Sequence, residues 1–405
     1  MTDVVIVGAG QAGYQCAESL RQEGYQGEII LIGDEAYPPY QRPPLSKSYL
    51  LGEVDKARLQ FRTREYFDEH GIKLLTGTTV NKIDPAHHRV VLDDGTEIRY
   101  TKLVLATGAR VRALPVPGAK ADGVCYLKTI DDIDRIEQLL PDSSRVVVIG
   151  AGFIGLEFAA VANKLGKQVQ VIESMDRVMG RVVHPILSEY YHKLHSSHGV
   201  QFVYNTTVSG IEVSDGRVKG VSCSNGSHYP ADLVVVGIGV IANTELAEEA
   251  GIECDHGIVV DAYGRTSVVD VYATGDCTIY HHPFAQDRIR LESVQNAVDQ
   301  SKSIAASLSG KDKPYDVVPW FWSDQYDSKL QMVGLSSGCD EHVVRGDITT
   351  GKFSIFHFRD GVLRAIDSVN KPADHMMGRK LLAAGVSPDM AQASDPDFPL
   401  KSLLV

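Results

Sequence analysis

Cysteine is scarce in this chain of 405 residues: its six cysteines are scattered and none of them forms a Cys-x-x-Cys. This excludes a disulfide framework and a cysteine zinc site, and it favours buried thiols in a reducing cytoplasm. No apolar run approaches the roughly 20 residues that span a membrane. No basic and apolar leader precedes the first predicted strand, so we expect no signal peptide. The 40 basic residues are outnumbered by 52 acidic ones, and the net charge of −12 argues against bulk binding to nucleic acid or anionic membranes.

Glycine, by contrast, recurs in one pattern. The segments "VVIVGAGQAG" (4–13) and "VVVIGAGFIG" (146–155) both place Gly-x-Gly-x-x-Gly between an apolar run and a helical pattern. The next predicted strand ends in an acid in each case, at Asp34 or Glu35 and at Glu173, as expected for a carboxylate that binds a ribose hydroxyl. We therefore predict two Rossmann-like units in an α/β fold, each with a dinucleotide on the N-terminus of its helix.

Two such sites imply two ligands, because a nicotinamide dinucleotide needs only one Rossmann unit. A hydride relay from a nicotinamide to a bound flavin needs two. Further buried strands end in small-residue turns at "LVLATGA" (103–109), "LVVVGIGV" (233–240) and "DVYATGDC" (270–277). Ligands of open α/β sheets lie beyond the carboxyl ends of the strands, so we expect these turns to line the cofactors.

In this order the motifs resemble those of the two-dinucleotide flavoprotein disulfide reductase superfamily. The segments "RPPLSKSYL" (42–50), "GFIGLE" (152–157), "ESVQNA" (292–297) and "PWFWSDQY" (319–326) are similar to the ferredoxin reductases of class I bacterial cytochrome P450 and dioxygenase systems. The resemblance implies two Rossmann-like dinucleotide-binding domains, for FAD and NAD, and a C-terminal α+β domain. The implied boundaries are 1–110 and 242–316 for the FAD domain, 111–241 for the NAD domain and 317–405 for the C-terminal domain.

The positions of the cysteines distinguish this chain from the disulfide reductases. Where one family of those enzymes carries its redox-active pair, this chain has Leu45, Ser46 and Lys47. We interpret Cys16, on the first Rossmann helix, and Cys277 as packing residues. Without a thiol relay, electrons leave the flavin directly and one at a time, which suits an iron–sulfur acceptor.

The FAD contacts come partly from the first glycine motif and partly from the resemblance. The motif assigns the pyrophosphate to Gly8, Gly10, Ala12 and Gly13, and the adenosine ribose to Asp34 or Glu35. The resemblance adds further FAD contacts: Arg42, Pro43, Lys47, Val80, Ala106, Thr107, Gly108, Lys128, Asp276, Val294 and Trp322. It implies that Lys47 places its ammonium near the reactive edge of the flavin, although a solvated loop lysine is the alternative. Lys128 stands where the family carries an arginine and lacks that planar fork.

On the NAD side, Gly150, Gly152 and Gly155 hold the pyrophosphate. An acid at Glu173 repels a 2′-phosphate, so we expect NADH to be preferred over NADPH. The resemblance further assigns Ile238 and Gly239 to the nicotinamide half of the dinucleotide. It implies that Glu157 reaches the nicotinamide and can pair with Lys47, the alternative being a surface glutamate. Lys47, Glu157 and Trp322 are thus the predicted catalytic residues.

The implied partner is a [2Fe–2S] ferredoxin that serves an oxygenase. Such a partner is acidic, so a local positive patch must offset the net charge. The candidate cations are Lys47, Arg288, Arg290, Lys302 and Lys329, of which Lys302 is favoured. Alternatives are a rubredoxin reductase, an NADH oxidase or redox sensor resembling apoptosis-inducing factor, and a flavin-holding module without turnover.

Histidine and tryptophan carry less information. His192, His195 and His198 recur at helical spacing without an acid or cysteine beside them, so we predict a solvated helix face and no metal. His87–His88 and His281–His282 are predicted in polar turns. Trp320 and Trp322 stand in an alternating segment that places one of them in the core.

Overall fold

The computed structural model describes residues 2–404, and its elements follow the order that the motifs predict. Along the chain they are β1 (Thr2–Val7), α1 (Gln11–Gln22), β2 (Ile29–Ile32), α2 (Lys56–Leu59), α3 (Arg64–Glu69), β3 (Ile72–Leu75), β4 (Val80–Asp84), β5 (Arg89–Leu92), β6 (Glu97–Leu105), β7 (Ala109–Val111), β8 (Val124–Tyr126), α4 (Ile130–Leu139), β9 (Arg145–Ile149), α5 (Phe153–Lys164), β10 (Gln168–Ile172), α6 (Pro185–Ser197), β11 (Gln201–Val203), β12 (Val208–Ser214), β13 (Arg217–Cys223), β14 (His228–Pro230), β15 (Leu233–Val236), β16 (Val240–Ala242), α7 (Glu245–Glu249), β17 (Ile258–Val260), β18 (Val271–Ala273), β19 (Thr278–His282), β20 (Asp287–Ile289), α8 (Val294–Leu308), β21 (Trp320–Gln325), β22 (Ser328–Gly334), β23 (Glu341–Asp347), β24 (Lys352–Arg359), β25 (Val362–Val369), α9 (Pro372–Ala383) and α10 (Met390–Ser394). Single 3₁₀ turns lie at Pro43–Ser46, Pro85–His87, Ile348–Thr350 and Leu400–Leu404.

The described chain forms two compact units by contact density. One comprises residues 2–41, 57–110 and 241–321, and the other residues 42–56, 111–240 and 322–404. The three-domain boundaries taken from the resemblance stay a prediction, and their two ends, Met1 and Val405, lie outside the described residues.

The first unit is built on a sheet in the order β3-β2-β1-β6-β5-β4, with β18 beside β6. Strands β1, β2, β3, β6 and β18 are parallel. Strands β4, β5 and β6 form an antiparallel meander, with Asp94–Gly95 in the turn between β5 and β6. Helix α1 connects β1 to β2 and packs against α8. A second, three-stranded sheet has the order β17-β19-β20. This is the predicted Rossmann-like arrangement with an added meander.

The second unit repeats the pattern. Its parallel sheet has the order β11-β10-β9-β15-β8, with α5 connecting β9 to β10. A hairpin with Asp215–Gly216 in its turn joins β12 to β13, and β14 completes a separate three-stranded sheet in the order β12-β13-β14. A five-stranded sheet, β21-β22-β25-β24-β23, and the helices α9 and α10 form the C-terminal part. The α/β fold class is confirmed, with two Rossmann-like cores and a C-terminal α+β part.

Three expectations about single residues are wrong. His195 is fully buried instead of lying on a solvated face, because α6 turns Leu187, Tyr191 and His195, spaced four residues apart, to the interior. His281 and His282 lie on strand β19, and His282 is buried.

The third wrong expectation concerns the tryptophans. Trp320 and Trp322 are both partly exposed, so neither is a core residue. Residues two apart on a strand share one face, so the alternation puts both tryptophans on the same side of β21. The buried face of β21 carries Ser323 and Gln325 instead.

No helix among residues 2–404 is long and apolar enough to cross a membrane.

Candidate active site

The first glycine loop, in the first unit, contains two glycines that the fold requires and one that it does not require. Gly8 has φ +109°, and a Cβ there would collide with the carbonyl oxygen of Ala106. A Cβ on Gly13 would collide with the carbonyl oxygen of Gly8. Gly10, at the N-cap of α1, has φ −78°, and a Cβ there would meet no atom of the described chain within 4 Å. The space at Gly10 therefore lies open at a helix N-terminus, where backbone N–H groups bind a pyrophosphate.

Neighbouring strand ends meet at the same edge. The register pairs Val7 with Leu105 and Leu105 with Ala273, so the turns that follow β1, β6 and β18 lie side by side. Thr107 donates its hydroxyl to the Asn243 carbonyl oxygen at 2.7 Å. These contacts place the predicted residues Ala106, Thr107 and Gly108 beside the first glycine loop.

Helix α8 is tied to the same edge. The Ser301 hydroxyl donates to the carbonyl oxygen of Ala12 at 2.9 Å, and the Gln300 side chain accepts from the Gly275 N–H at 2.8 Å. Asp276 and Val294, both partly exposed, lie at the end of β18 and at the start of α8. The predicted FAD contacts of the first unit are therefore drawn from strand ends and one helix start.

The acids after β2 differ in environment. Asp34 is exposed, whereas the partly exposed Glu35 accepts a 2.5 Å hydrogen bond from the Tyr40 hydroxyl. Val80 is buried at the start of β4. Which acid binds the adenosine ribose stays a prediction.

The second glycine loop, in the second unit, likewise contains two glycines that the fold requires and one that it does not require. Gly150 has φ +99°, and a Cβ there would lie 2.5 Å from the carbonyl oxygen of Gly237. A Cβ on Gly155 would collide with the carbonyl oxygen of Gly150, but Gly152 at the N-cap of α5 has φ −76° and open space within 4 Å in the described structure. The register pairs Val236 with Ile149, which brings Ile238 and Gly239 beside this loop. A second dinucleotide cradle is thus present in the same chain.

Glu173 is bound to the second loop. Its carboxylate accepts the N–H of Ala151 at 2.7 Å, the N–H of Met175 at 2.8 Å and the Ser174 hydroxyl at 3.0 Å. Three donors fix the carboxylate at the end of β10, in the place that a ribose-binding acid occupies.

Lys47 and Glu157 form an ion pair, as the resemblance implied. Lys47 Nζ lies 2.6 Å from Glu157 Oε2, and their side chains are 21% and 3% exposed. The same oxygen accepts the Ser46 hydroxyl at 2.6 Å, and Oε1 accepts the Ser323 hydroxyl at 2.7 Å. Lys47 also donates to the carbonyl oxygen of Pro43 at 3.1 Å. Glu157 is therefore a buried, fully paired carboxylate, and its interpretation as a surface glutamate is wrong.

Sequence reasoning missed two members of this cluster. Ser46 and Ser323 both lie in segments that carried the resemblance, next to Lys47 and Trp322, but a serine has no spacing signal that marks it. Only their position on either side of one carboxylate identifies them.

The segment that carries Lys47 is anchored at both ends. Arg42 donates to the carbonyl oxygen of Lys128 at 2.8 Å, and Lys56 pairs with Asp134 on α4 at 2.5 Å. Tyr49 also donates to Asp134 at 2.8 Å. These bonds hold residues 42–56 against α4 and against Lys128 just before it, and they fix the position of Lys47 within the second unit. Arg42 binds the carbonyl oxygen of Lys128, and the FAD role of the Lys128 side chain stays a prediction.

All six cysteines are free thiols. Cys16 and Cys277 are fully buried. Burial raises the pKa of Cys16 to about 12 and also raises the pKa of Cys277. Both therefore stay protonated at neutral pH, as expected of packing residues. Among residues 2–404, no group of three His, Cys, Asp or Glu side chains could hold a metal ion.

Comparisons with known proteins agree with this geometry. Residues 2–301 match the family described as pyridine nucleotide-disulphide oxidoreductase, and residues 320–404 match the domain described as reductase C-terminal. Rhodocoxin reductase of Rhodococcus erythropolis is 50% identical over 398 residues, which cover 98% of this chain and 93% of that protein. The crystal structure of the ferredoxin reductase for the CYP199A2 system from Rhodopseudomonas palustris is 48% identical, with a TM-score of 0.97 over 99% of each chain.

A further similar structure is that of the covalent putidaredoxin reductase–putidaredoxin complex, at 40% identity and a TM-score of 0.97, covering 100% of this chain and 98% of that one. The family match spans well over half of the chain, and the similar proteins are matched along nearly their whole length. This chain therefore belongs to the pyridine nucleotide-disulphide oxidoreductase family, in its group of ferredoxin reductases.

Proposed function

We propose that this protein is an NADH-dependent ferredoxin reductase that binds FAD tightly and passes single electrons to a [2Fe–2S] ferredoxin serving a cytochrome P450 or another oxygenase. The observation that carries the proposal is the pair of open glycine cradles, at Gly10 and Gly152, in a chain whose cysteines are dispersed. The family and the names of the similar proteins support the same activity.

The residues of this chain fit both dinucleotides. The N–H groups at the starts of α1 and α5 bind the two pyrophosphates, and Glu173 binds ribose hydroxyls. Lys47, held by Glu157, supplies a fixed positive charge that stabilises negative charge arising in the reaction. FAD, when bound, accepts electrons in pairs and releases them singly. The balanced reaction converts NADH and two oxidised ferredoxins into NAD⁺, two reduced ferredoxins and one proton.

The experiment that tests this function is reduction of cytochrome c by NADH with and without added ferredoxin. We expect the purified protein to carry one FAD, and a [2Fe–2S] ferredoxin to stimulate cytochrome c reduction far above the rate of oxygen consumption. Rubredoxin in the same panel tests the alternative acceptor. Fast oxygen consumption that ferredoxin does not change would favour the oxidase instead, and a flavin that stays oxidised under anaerobic NADH would favour a module without turnover.

Changing Glu173 should alter the choice of nucleotide. Glu173→Ser removes the charge that repels a 2′-phosphate, so we expect the ratio of kcat/KM for NADH to that for NADPH to fall by at least about tenfold, or about 1.4 kcal/mol. Glu173→Gln removes the same charge, but its amide oxygen can still accept the N–H of Ala151, so a similar fall in this variant shows that the charge and not the shape of the loop selects NADH. If the unmodified protein uses both nucleotides equally well, Glu173 does not select NADH.

Substituting Lys302 should slow the reduction of ferredoxin but not the reduction of a small acceptor. Its side chain on α8 is 52% exposed and lies 3.5 Å from the Asp299 carboxylate. We expect Lys302→Glu to lower kcat/KM for ferredoxin about fivefold, through weaker steering of an acidic partner. Reduction of ferricyanide should not change, and about 0.5 M salt should narrow the difference.

Lys311→Glu is the control for this prediction, because Lys311 is 63% exposed in the same unit and also pairs with an acid, Glu23. Equal losses in the two variants, or an equal loss with ferricyanide, would refute the docking role of Lys302. The neighbouring candidates Arg288 and Arg290 likewise pair with acids, Asp255 and Glu292.

A further inference from the structure

A chain of buried polar side chains runs through the second unit from His195 on α6 to Glu157 on α5. His195 Nε2 lies 2.8 Å from Gln325 Oε1, Gln325 Nε2 lies 3.2 Å from Ser323 Oγ, and Ser323 Oγ lies 2.7 Å from Glu157 Oε1. All four residues are at most 3% exposed. Buried polar groups are costly unless they are paired, so such a chain needs an explanation.

Each hydrogen bond in this series of four side chains is donated in the direction of Glu157. The Ser323 hydroxyl has one proton, which it gives to the carboxylate, so it accepts from the amide nitrogen of Gln325. The amide oxygen of Gln325 then faces His195, whose Nε2 must carry a proton. Burial lowers the pKa of His195 to about 4, so the ring is neutral at pH 7 and holds that single proton on Nε2. Its Nδ1 has no hydrogen-bond partner in the described part of the chain, as suits a bare lone pair.

The ring of His195 is fixed by its surroundings. It packs edge-on against Tyr326, with ring centroids 5.0 Å apart, and against Phe202 at 6.1 Å. A fixed ring holds the Gln325 amide in one orientation, and that orientation sets the hydroxyl of Ser323. The series of hydrogen bonds ends at a single carboxylate oxygen, Oε1 of Glu157. The other oxygen, Oε2, accepts from Lys47 and Ser46.

We propose that Ser323, Gln325 and His195 are positioning residues that orient the Glu157 carboxylate and, through it, the ammonium of Lys47. The role of Lys47 and Glu157 in turnover rests on the proposed function, but their geometry does not. Without Ser323 the carboxylate can rotate, and Lys47 loses its fixed place.

The test compares Ser323→Ala with Ser328→Ala. Ser328 is also buried, at 1% exposure, and its hydroxyl bonds to the Tyr190 hydroxyl at 2.5 Å and not to any of these four residues in the described structure. The first readout is the rate at which acetic anhydride labels Lys47 in the holoprotein, measured by mass spectrometry relative to Lys56. We expect Ser323→Ala to raise this ratio about tenfold, Ser323→Thr to restore it and Ser328→Ala to leave it unchanged.

The second readout is turnover with NADH and ferricyanide. In Ser323→Ala we expect kcat to fall about tenfold while KM for NADH stays the same, since the affected group orients and does not bind the nucleotide. Equal effects of Ser323→Ala and Ser328→Ala on labelling and kcat would overturn the proposal, because they would show a general loss of packing.

The role of His195, at the other end of the hydrogen-bonded series, is tested with His195→Phe, which keeps an aromatic ring but removes the Nε2–H. His198→Phe is its control, because exposed His198 stacks face to face on Tyr326, with ring centroids 3.9 Å apart, and has no bond to Gln325. We expect His195→Phe to raise Lys47 labelling about threefold and His198→Phe to leave it unchanged. No change in His195→Phe would overturn the assignment of Gln325 and His195.

These outcomes are independent of the proposed function. Labelling of Lys47 requires no ferredoxin and no NADH, so a protein that reduced no ferredoxin would refute the function and leave the positioning result intact.

Discussion

Gly152→Val is expected to abolish reduction of the flavin by NADH while the protein keeps its FAD. The fold tolerates a side chain at Gly152, since φ is −76° and a Cβ there meets no atom within 4 Å in the described chain. A valine would instead fill the space that the pyrophosphate needs. We expect the apparent affinity for NADH to fall at least about 100-fold, or about 2.7 kcal/mol, with Tm within about 2 °C of the unchanged protein. Stopped-flow absorbance and calorimetry measure the two effects.

Gly10→Val is the counterpart in the first unit and should instead yield a folded protein that does not retain FAD. Gly210→Val is the control, because Gly210 in β12 also has open space around its Cβ position in the described structure but lies outside both loops. Loss of NADH reduction in Gly210→Val, or normal reduction in Gly152→Val, would show that the second loop is not the nicotinamide nucleotide site.

Lys47→Met should strongly destabilise the protein as well as impair it. It leaves the Glu157 carboxylate buried at 3% exposure with only two hydroxyl donors. Removing one partner of a buried ion pair costs about 3–5 kcal/mol, and because Lys47 is 21% exposed we expect a loss near the lower end, about 3 kcal/mol in the free energy of unfolding. Chemical denaturation followed by circular dichroism measures it.

Two further variants are the controls for the stability loss expected in Lys47→Met. Lys56→Met breaks a pair on the same segment, but Lys56 and Asp134 are 46% and 26% exposed, so we expect a loss below about 1 kcal/mol. The double variant Lys47→Met with Glu157→Gln removes the stranded charge and should recover most of the stability. Similar losses of unfolding free energy for Lys47→Met and Lys56→Met would show that the buried Lys47–Glu157 pair matters no more to stability than an exposed pair.

The backbone architecture could be predicted because its signals are local. The glycine loops, the strands that precede them and the hairpins at Asp94–Gly95 and Asp215–Gly216 are each encoded within a dozen residues. The structure adds which glycines the fold itself requires. Gly8 and Gly150 are required by left-handed φ and by a carbonyl group opposite, whereas Gly10 and Gly152 are not.

The side-chain environment of the site could not be predicted, since it depends on contacts between distant segments. The buried carboxylate of Glu157 is paired by the hydroxyls of Ser46 and Ser323, which lie 111 and 166 positions away in the sequence. The spacing of the histidines alone predicts a solvated face for His195, whereas Leu187 and Tyr191 mark the buried stripe of α6 to which His195 belongs. The alternation in β21 was visible, but it could not reveal that its polar side is the buried one.

Anaerobic titration of the purified flavoprotein with NADH tests most directly whether electrons leave the flavin without a thiol relay. We expect the flavin to be fully reduced at close to one NADH per FAD, and two equivalents of oxidised ferredoxin then to restore its absorbance. Uptake of about two NADH per FAD, with new free thiols appearing as the titration proceeds, would show that a cysteine pair stores electrons and would contradict direct transfer to ferredoxin.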